Sequence, residues 1–163
     1  MARRLQLVIL GTGNPDYERC LAEAAAFYPG QAKVLLRFDD NQSRRIYAGS
    51  DIFMMPSRYE PCGLGQLIAL RYGAVPLVHA TGGLADTIHD PAGAGAQANG
   101  FVFDQAQAPA LLAALDRALE EFADRKRWRD LVRRGMEEDF SWGRSAVRYL
   151  ELYRLAMEKC RDR

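Results

Sequence analysis

Short apolar runs alternate with amphipathic stretches through the first two thirds of the chain. The apolar runs are four to six residues long in most cases and end at glycine, proline or asparagine, which predicts buried strands. We expect these strands at 5–10, 33–38, 52–56, 75–80 and 101–103. Between them, apolar positions three to four residues apart predict helices at 16–27, 43–49 and 63–72.

Local signals refine this pattern. Pro29-Gly30 ends the first helix, in which Leu21, Ala24 and Ala25 are expected to face inward. Gly73 suits the left-handed position that follows a helix, and the short second helix is expected to be capped near Asn41. Strands that alternate with helices are typical of a parallel sheet covered on both faces, so we expect a Rossmann-like α/β fold.

From residue 90 onward the sequence departs from this alternation of strands and helices. The low-complexity stretch 90–99 (DPAGAGAQAN) predicts a flexible loop. Beyond it, residues 109–163 predict helices only, at 109–123, 124–138 and 142–160. The last helix carries an apolar stripe of Val147, Leu150, Tyr153 and Leu155. With no internal repeat in the sequence, we expect one domain, 1–163, that includes this helical tail.

Composition excludes several classes of function. The 163 residues carry 22 Lys and Arg against 21 Asp and Glu, so no strong field favours nucleic acid or an anionic membrane. No apolar run approaches the roughly 20 residues of a membrane span. Cys20, Cys62 and Cys160 are too widely spaced for a disulfide framework or a metal motif, which favours a reducing cytoplasm and no bound metal. The isolated His79 and His89 are expected to be structural.

Ligands of such sheets bind beyond the carboxyl ends of the strands. At the first strand end, Gly11 and Gly13 leave open either a tight turn or contact with a phosphate or sugar. A complete dinucleotide fingerprint requires glycine at position 16, where this chain has Asp16. An oxidoreductase using NAD is therefore disfavoured.

The third strand leads into the segment SRYEPCGLGQL at 57–67. Pro61 favours an extended Glu60, which presents its carboxylate at the edge of the sheet. Gly63 and Gly65 are expected in the first helical turn, where free amides attract a diphosphate. A carboxylate for sugar hydroxyls beside amides for phosphates suits an enzyme that uses a nucleotide sugar. Helix capping by Glu60 remains the alternative.

The fourth strand leads into TGGLADT at 81–87, where Gly82 and Gly83 precede a short helix and present further free amides. Asp86 either belongs to a ligand site or serves the first turn of that helix.

These residues closely resemble glycogen and starch synthases. The resemblance rests on PSRYEPCGL at 56–64, Gln66-Leu67, TGGLADT, GFVF at 100–103 and DFSW at 139–142, and so covers nearly all of the chain. Related transferases carry a second glutamate eight positions after Glu60; Ile68 stands there, as in the glycogen synthase branch.

The resemblance implies the second, donor-binding domain of a GT-B glycosyltransferase. It implies transfer of glucose from ADP-glucose to the non-reducing end of an α-1,4-glucan, with retention of configuration and without metal or other cofactor. Glu60 is then expected to orient the glucose and stabilise charge in catalysis. Phe38 is expected to stack on adenine, with a plain core role as the alternative. The remaining substrate-binding residues implied are Cys62, Gly63, Leu64, Gly65, Gln66, Thr81, Gly82 and Gly83.

Two family elements are expected but not found: a first domain with a KxGG segment, and the strand and RLxxQKG motif that open the second domain. We therefore expect the missing N-terminal domain as a partner, no turnover and only weak nucleotide binding by this chain alone, and possible self-association through the last helix. The sequence leaves open whether the first and third strands pair directly. It also leaves open a UDP-glucose-dependent transferase and a non-catalytic nucleotide-sugar or glucan-binding module.

Overall fold

A computed structural model describes residues 5–161, and these residues belong to two compact units that meet in sequence between Ser50 and Asp51. Each unit has its own parallel sheet, with strand order β1-β2 in the first and β3-β4-β5 in the second. A single functional domain over 1–163 stays a prediction.

The first unit contains two strands and two helices in alternation. They are β1 (Leu7–Leu10), α1 (Pro15–Phe27), β2 (Ala32–Leu35) and α2 (Asp40–Gly49). Leu7 lies opposite Ala32 in the parallel pairing. Among the described strands of this unit, β1 pairs with β2.

Both helices of this unit begin at a side-chain cap. Asn14 Oδ1 accepts a hydrogen bond from the Asp16 amide at 2.8 Å, and Pro15 takes the first helical position, where no amide donor is needed. Asp39, rather than the predicted Asn41, caps α2 by accepting from the Gln42 amide at 2.9 Å. Each cap satisfies an amide that the first helical turn leaves without a carbonyl partner.

Within residues 5–50, no side chain is fully buried. The prediction that the apolar face of α1 points inward is wrong for Leu21, which is 36% exposed, and for Ala24, while Ala25 is half-buried. A sheet of two short strands presents too narrow a surface to cover a 13-residue helix.

The second unit contains the larger sheet. Its strands are β3 (Ile52–Met55), β4 (Val75–His79) and β5 (Phe101–Phe103). Its helices are α3 (Gly65–Tyr72), α4 (Gly82–Thr87), α5 (Pro91–Ala94), α6 (Ala108–Ala123), α7 (Arg125–Glu137) and α8 (Trp142–Arg161). Gly73 ends α3 at φ +81°, as predicted.

The period of two along β4 places successive side chains on opposite faces of this sheet. Val75 and Leu77 join the core formed with α6 and α7, in which Trp128 and Leu131 are also buried. Val78 packs on the other face with a second cluster, formed by Leu70, Leu84 and Ile88. Parallel strands with helices on both faces confirm the α/β prediction.

Residues 90–99 differ from the predicted flexible loop. They form α5 and a 3₁₀ turn, Gly95–Gln97. Asp90 caps α5 through the Ala92 amide and also accepts the Val102 amide at 2.8 Å. Asn99 is 1% exposed, accepts from the His89 amide and donates to the Thr87 carbonyl. Long-range hydrogen bonds therefore order a segment whose composition suggested mobility.

The last helix, α8, has no buried residue. Its predicted apolar stripe is exposed, with Val147 at 56%, Leu150 at 56%, Tyr153 at 61% and Leu155 at 55%. Over the described range 5–161, no helix has the length and hydropathy required to cross a membrane.

Candidate functional site

The loops that follow β3 and β4 lie side by side in the second unit. Because these strands are adjacent and parallel, their carboxyl ends meet at one edge of the sheet. The Gly83 amide donates a hydrogen bond to the Glu60 carbonyl at 3.1 Å. Backbone contact therefore joins the two segments that the sequence singled out, 57–67 and 81–87.

Two glycines make this contact possible. A Cβ on Gly82 would overlap the Glu60 carbonyl oxygen, and Gly82 lies at φ +46°. A Cβ on Gly83 would overlap the Cys62 carbonyl oxygen. Gly82 and Gly83 thus have a packing role here, in addition to whatever contact they make with a ligand.

The side chains of Gln66 and Thr87 connect the same loops from inside the fold. Gln66 is 0% exposed, and its Nε2 donates to the Cys62 carbonyl at 3.2 Å and to the Gly63 carbonyl at 3.0 Å. Nε2 also donates to Thr87 Oγ1 at 3.3 Å. The Thr87 hydroxyl in turn donates to the Gly83 carbonyl at 2.6 Å.

Thr87 was not among the residues that the sequence assigned to the site. It occupies the last position of TGGLADT, four residues after Gly83, where a helical hydroxyl reaches the carbonyl one turn back. That spacing was a usable signal for the Gly83 bond. The hydrogen bond from Gln66, which lies 21 positions earlier, could not be predicted from that spacing.

Glu60 lies half-buried in the first of these loops. Its carboxylate makes no hydrogen bond or ion pair with any other residue in the described range. Leu64 is the N-cap residue of α3 and provides no side-chain cap. The capping role left open for Glu60 is therefore not observed, and the carboxylate is unpartnered beside the loop's backbone.

The start of α3 also differs from the prediction. The helix begins at Gly65, so Gly63 precedes it and adopts a left-handed conformation at φ +71°. A Cβ on Gly65 would lie 3.2 Å from the Phe53 ring and 3.3 Å from Met55 Sδ, which shows that Gly65 lets α3 approach β3 closely. Leu64 is 67% exposed at this edge, and Cys62 is exposed with a free thiol.

His79 contacts the backbone of the loop that follows β3. It is 8% exposed at the end of β4, and its Nδ1 lies 2.8 Å from the Ser57 carbonyl oxygen. Its ring packs against Phe103 with centroids 5.4 Å apart. Thr81, half-buried, follows immediately, and its amide donates to the His79 carbonyl at 2.8 Å. This agrees with the structural interpretation of His79.

Phe38 belongs to the first unit. Strand β2 ends at Leu35 instead of residue 38, and Phe38 is 89% exposed in the loop that follows. A plain core role is therefore contradicted. Beside it, Arg37 pairs with Asp39 at 3.1 Å. The amide of Gln42, donating to Asp39, lowers the pKa of that carboxyl below its ordinary value.

The amides of the first glycine pair are engaged within the first unit. The Gly13 amide donates to Glu18 Oε1 at 2.7 Å, and the Gly11 amide donates to the Leu35 carbonyl at 3.1 Å. Both donors are occupied, which favours the tight-turn interpretation of this GxG over a phosphate site.

Comparison with known sequences extends these observations. Residues 1–134 match the family described as "Glycosyl transferases group 1". The glycogen synthase of Syntrophotalea carbinolica (strain DSM 2380 / NBRC 103641 / GraBd1) is 58% identical over 158 residues, which are 97% of this chain and 33% of that protein. The chain thus spans about a third of the length of the curated relatives it matches.

Solved structures show the same architecture. The catalytic domain of starch synthase IV from Arabidopsis thaliana, bound to ADP and acarbose, matches with a TM-score of 0.76 and 32% identity, over 96% of this chain and 39% of that one. Sucrose-phosphate synthase from Thermosynechococcus elongatus matches with a TM-score of 0.66 and 27% identity, over 94% of this chain and 39% of that one. The prediction of a glycosyltransferase with a Rossmann-like fold is confirmed, and the chain belongs to the group 1 family of glycosyl transferases.

Proposed function

We propose that this chain is the donor-binding part of a retaining glucosyltransferase that moves glucose from ADP-glucose to the non-reducing end of an α-1,4-glucan. The observation that carries this proposal is the unpartnered Glu60 carboxylate, held in a loop whose backbone is joined to Gly83. The likeness to a starch synthase bound to ADP and to glycogen synthases supports the choice of donor and acceptor.

The proposed chemistry follows from the loop's charges. Departure of ADP places negative charge on the diphosphate, and backbone amides directed at that charge stabilise the transition state more than the ground state. The amides of Gly63, Leu64 and Gly65 are proposed for this role. Cys62 and Thr81 are proposed to border the donor, with Gly82 and Gly83, while the buried Gln66 is proposed to act on the donor through the loop backbone.

Glu60 is proposed to orient the glucose and stabilise charge rather than to act as a nucleophile. A carboxylate accepts hydrogen bonds from two sugar hydroxyls, and the absence of a protein partner among the described residues leaves both oxygens able to do so. The acceptor hydroxyl is proposed to attack from the face that the leaving group vacates, so no protein nucleophile is needed.

Phe38 is proposed separately as the ring that stacks on adenine. Its 89% exposure gives a flat apolar face to solvent, and stacking recovers part of the free energy lost by that exposure. The proposal includes no metal or other cofactor. Its partners are the glucan and the remaining portion of a longer synthase, and its setting is the cytoplasm, in keeping with three free cysteines.

Isothermal titration of the chain with ADP, UDP and ADP-glucose tests the proposal. We expect ADP to bind more tightly than UDP, and Phe38→Ala to weaken both adenine ligands. Glu60→Ala is expected to weaken ADP-glucose while leaving ADP unchanged, because the carboxylate faces the sugar. Tyr59→Ala, which removes an exposed ring next to Glu60, serves as the matched control.

Four results would contradict parts of this proposal. Equal loss of ADP and ADP-glucose affinity in Glu60→Ala would contradict a sugar-orienting role. A clear preference for UDP-glucose would replace the donor, and binding of glucan without any nucleotide would favour a non-catalytic module. Glucan elongation by the chain alone would overturn our expectation that it does not turn over.

A further inference from the structure

Two carbonyl groups of the 60–65 loop, those of Cys62 and Gly63, point to one interior side chain. Gln66 Nε2 lies 3.2 Å from the Cys62 oxygen and 3.0 Å from the Gly63 oxygen. All peptide bonds of the described chain are trans, and in a trans peptide the C=O and the following N–H point in opposite directions. The amides of Gly63 and Leu64 therefore point away from Gln66.

Neither of these amides has an acceptor within the described range, whereas most amides of this unit are paired in strands, helices or turns. An unpaired amide in a folded region is costly unless water or a ligand accepts from it. Two successive free amides with a common orientation form a concave donor site of the kind that binds anions.

The orientation of the Gln66 amide is set by Thr87. The Thr87 hydroxyl has one proton, which it donates to the Gly83 carbonyl at 2.6 Å. Thr87 Oγ1 can therefore only accept from Gln66, which requires the nitrogen of the amide, not its oxygen, to face it at 3.3 Å. With Nε2 on that side, the same group reaches both loop carbonyls.

This orientation leaves Gln66 Oε1 buried without a hydrogen-bond partner in the described part of the chain. An unsatisfied buried oxygen destabilises the fold, so the hydrogen bonds of Nε2, whose two protons are shared among three acceptors, must outweigh it. The reversed amide would place Oε1 against the carbonyl oxygens of Cys62 and Gly63, both of which can only accept.

We propose that Gln66 and Thr87 are positioning residues that turn the Cys62 and Gly63 carbonyls inward and thereby hold the Gly63 and Leu64 amides outward for the donor diphosphate. The ligand in this role rests on the proposed function. The role itself adds Thr87, which is not among the substrate-binding residues proposed above. It also makes the loop after β4 a support for the loop after β3.

Paired substitutions at Thr87 separate positioning from packing. Thr87→Val keeps the shape and removes the hydroxyl, whereas Thr87→Ser keeps the hydroxyl and removes a methyl group. We expect Thr87→Val and Gln66→Met to weaken ADP binding about tenfold or more, because each variant removes at least two hydrogen bonds of a buried network. Thr87→Ser is expected to bind as the unsubstituted chain does. A packing role predicts the reverse order, with Ser weaker than Val.

A second measurement needs no ligand. One-bond N–H residual dipolar couplings of Gly63 and Leu64 report the direction of these amides in the free protein. We expect them to change in Thr87→Val and Gln66→Met while those of Leu77 and Val78 in β4 do not. Unchanged couplings at Gly63 and Leu64 in both variants would overturn the positioning role.

The two measurements distinguish the possible failures. If the unsubstituted chain binds no ADP, the proposed function fails for this chain, and the couplings alone decide the positioning role. If it binds ADP and Thr87→Val binds equally well with unchanged couplings, the function stands and the inference is wrong.

Discussion

Replacing Gly83 by alanine tests directly whether the two loops are held together by close backbone approach. The added Cβ would lie 2.6 Å from the Cys62 carbonyl carbon and 2.7 Å from its Cα, where ordinary contact begins at 3.4 Å. The Cys62 backbone would have to retreat by more than 0.8 Å, the difference between 3.4 and 2.6 Å, because the new Cβ would lie closer still to the Cys62 carbonyl oxygen. It has no flexible side-chain end that could move instead.

The expected cost combines two effects. Overpacking of a close-packed region costs about 1–3 kcal/mol. The same movement lengthens the hydrogen bond from the Gly83 amide to the Glu60 carbonyl, now 3.1 Å. Loss of this hydrogen bond adds about 1 kcal/mol. We therefore expect Gly83→Ala to lower the free energy of unfolding by about 2–4 kcal/mol.

Gly93→Ala is the matched control, since it adds the same methyl group in α5, where nothing lies within 4 Å of the new Cβ. It is expected to be neutral or to stabilise by up to about 1 kcal/mol through helix propensity. Urea unfolding followed by the fluorescence of the buried Trp128 measures both variants. If the two unfold with free energies within about 0.5 kcal/mol of each other, the loops are not in the tight contact described here.

Substitutions at three further positions test other parts of the second unit. Gly73→Ala should lower the free energy of unfolding in urea by about 1–2 kcal/mol, because Gly73 has a φ of +81° while the new Cβ meets Met136 and Val132 at an ordinary 3.4 Å. Gly73→Asn should lower it less, because asparagine tolerates this conformation better than alanine. Equal losses in the two variants would point to packing instead. Trp128→Ala should cost about 3–5 kcal/mol by circular dichroism, because the ring packs between Phe101 and Phe122, and a loss below about 1 kcal/mol would contradict its core role. The Arg127 amide lowers the pKa of Asp124, so the stability that Asp124 contributes is present above its ordinary pKa of 3.8 and is lost as pH falls through the lowered value. Asp124→Asn should therefore flatten the dependence of stability on pH below about 4, and an unchanged acid profile would contradict this.

Much of the fold was predictable because its signals are local. The largely apolar run at 75–80 predicted a buried strand, and β4 is buried and agrees with the predicted ends to within one residue. Gly73 marked a helix end because few other residues tolerate its conformation. The site segments at 57–67 and 81–87 were recognisable from their residues, and the family comparison agrees with that recognition.

The predictions that the structure contradicts share a cause. The sequence of 90–99 predicted a flexible loop because hydrogen-bond partners distant in sequence order this segment, as the Val102 amide does by donating to Asp90. The inward face assigned to α1 assumed a sheet wide enough to cover it, whereas only two strands are present in that unit. Phe38 read as a strand residue and lies beyond the end of β2, since strand length depends on where the neighbouring strand stops pairing.

By itself the sequence determined the alternation of strands and helices, the α/β class, the family and the segments that carry the site, because periodicity, glycine and proline positions and motif residues act over a few neighbours. The tertiary structure alone decided that Gly83 lies against Cys62, that Gln66 is buried with Thr87 and that the Glu60 carboxylate has no partner among the described residues. These depend on which backbones approach one another after the sheet forms, and no spacing along the chain encodes the direction of a peptide group at that contact.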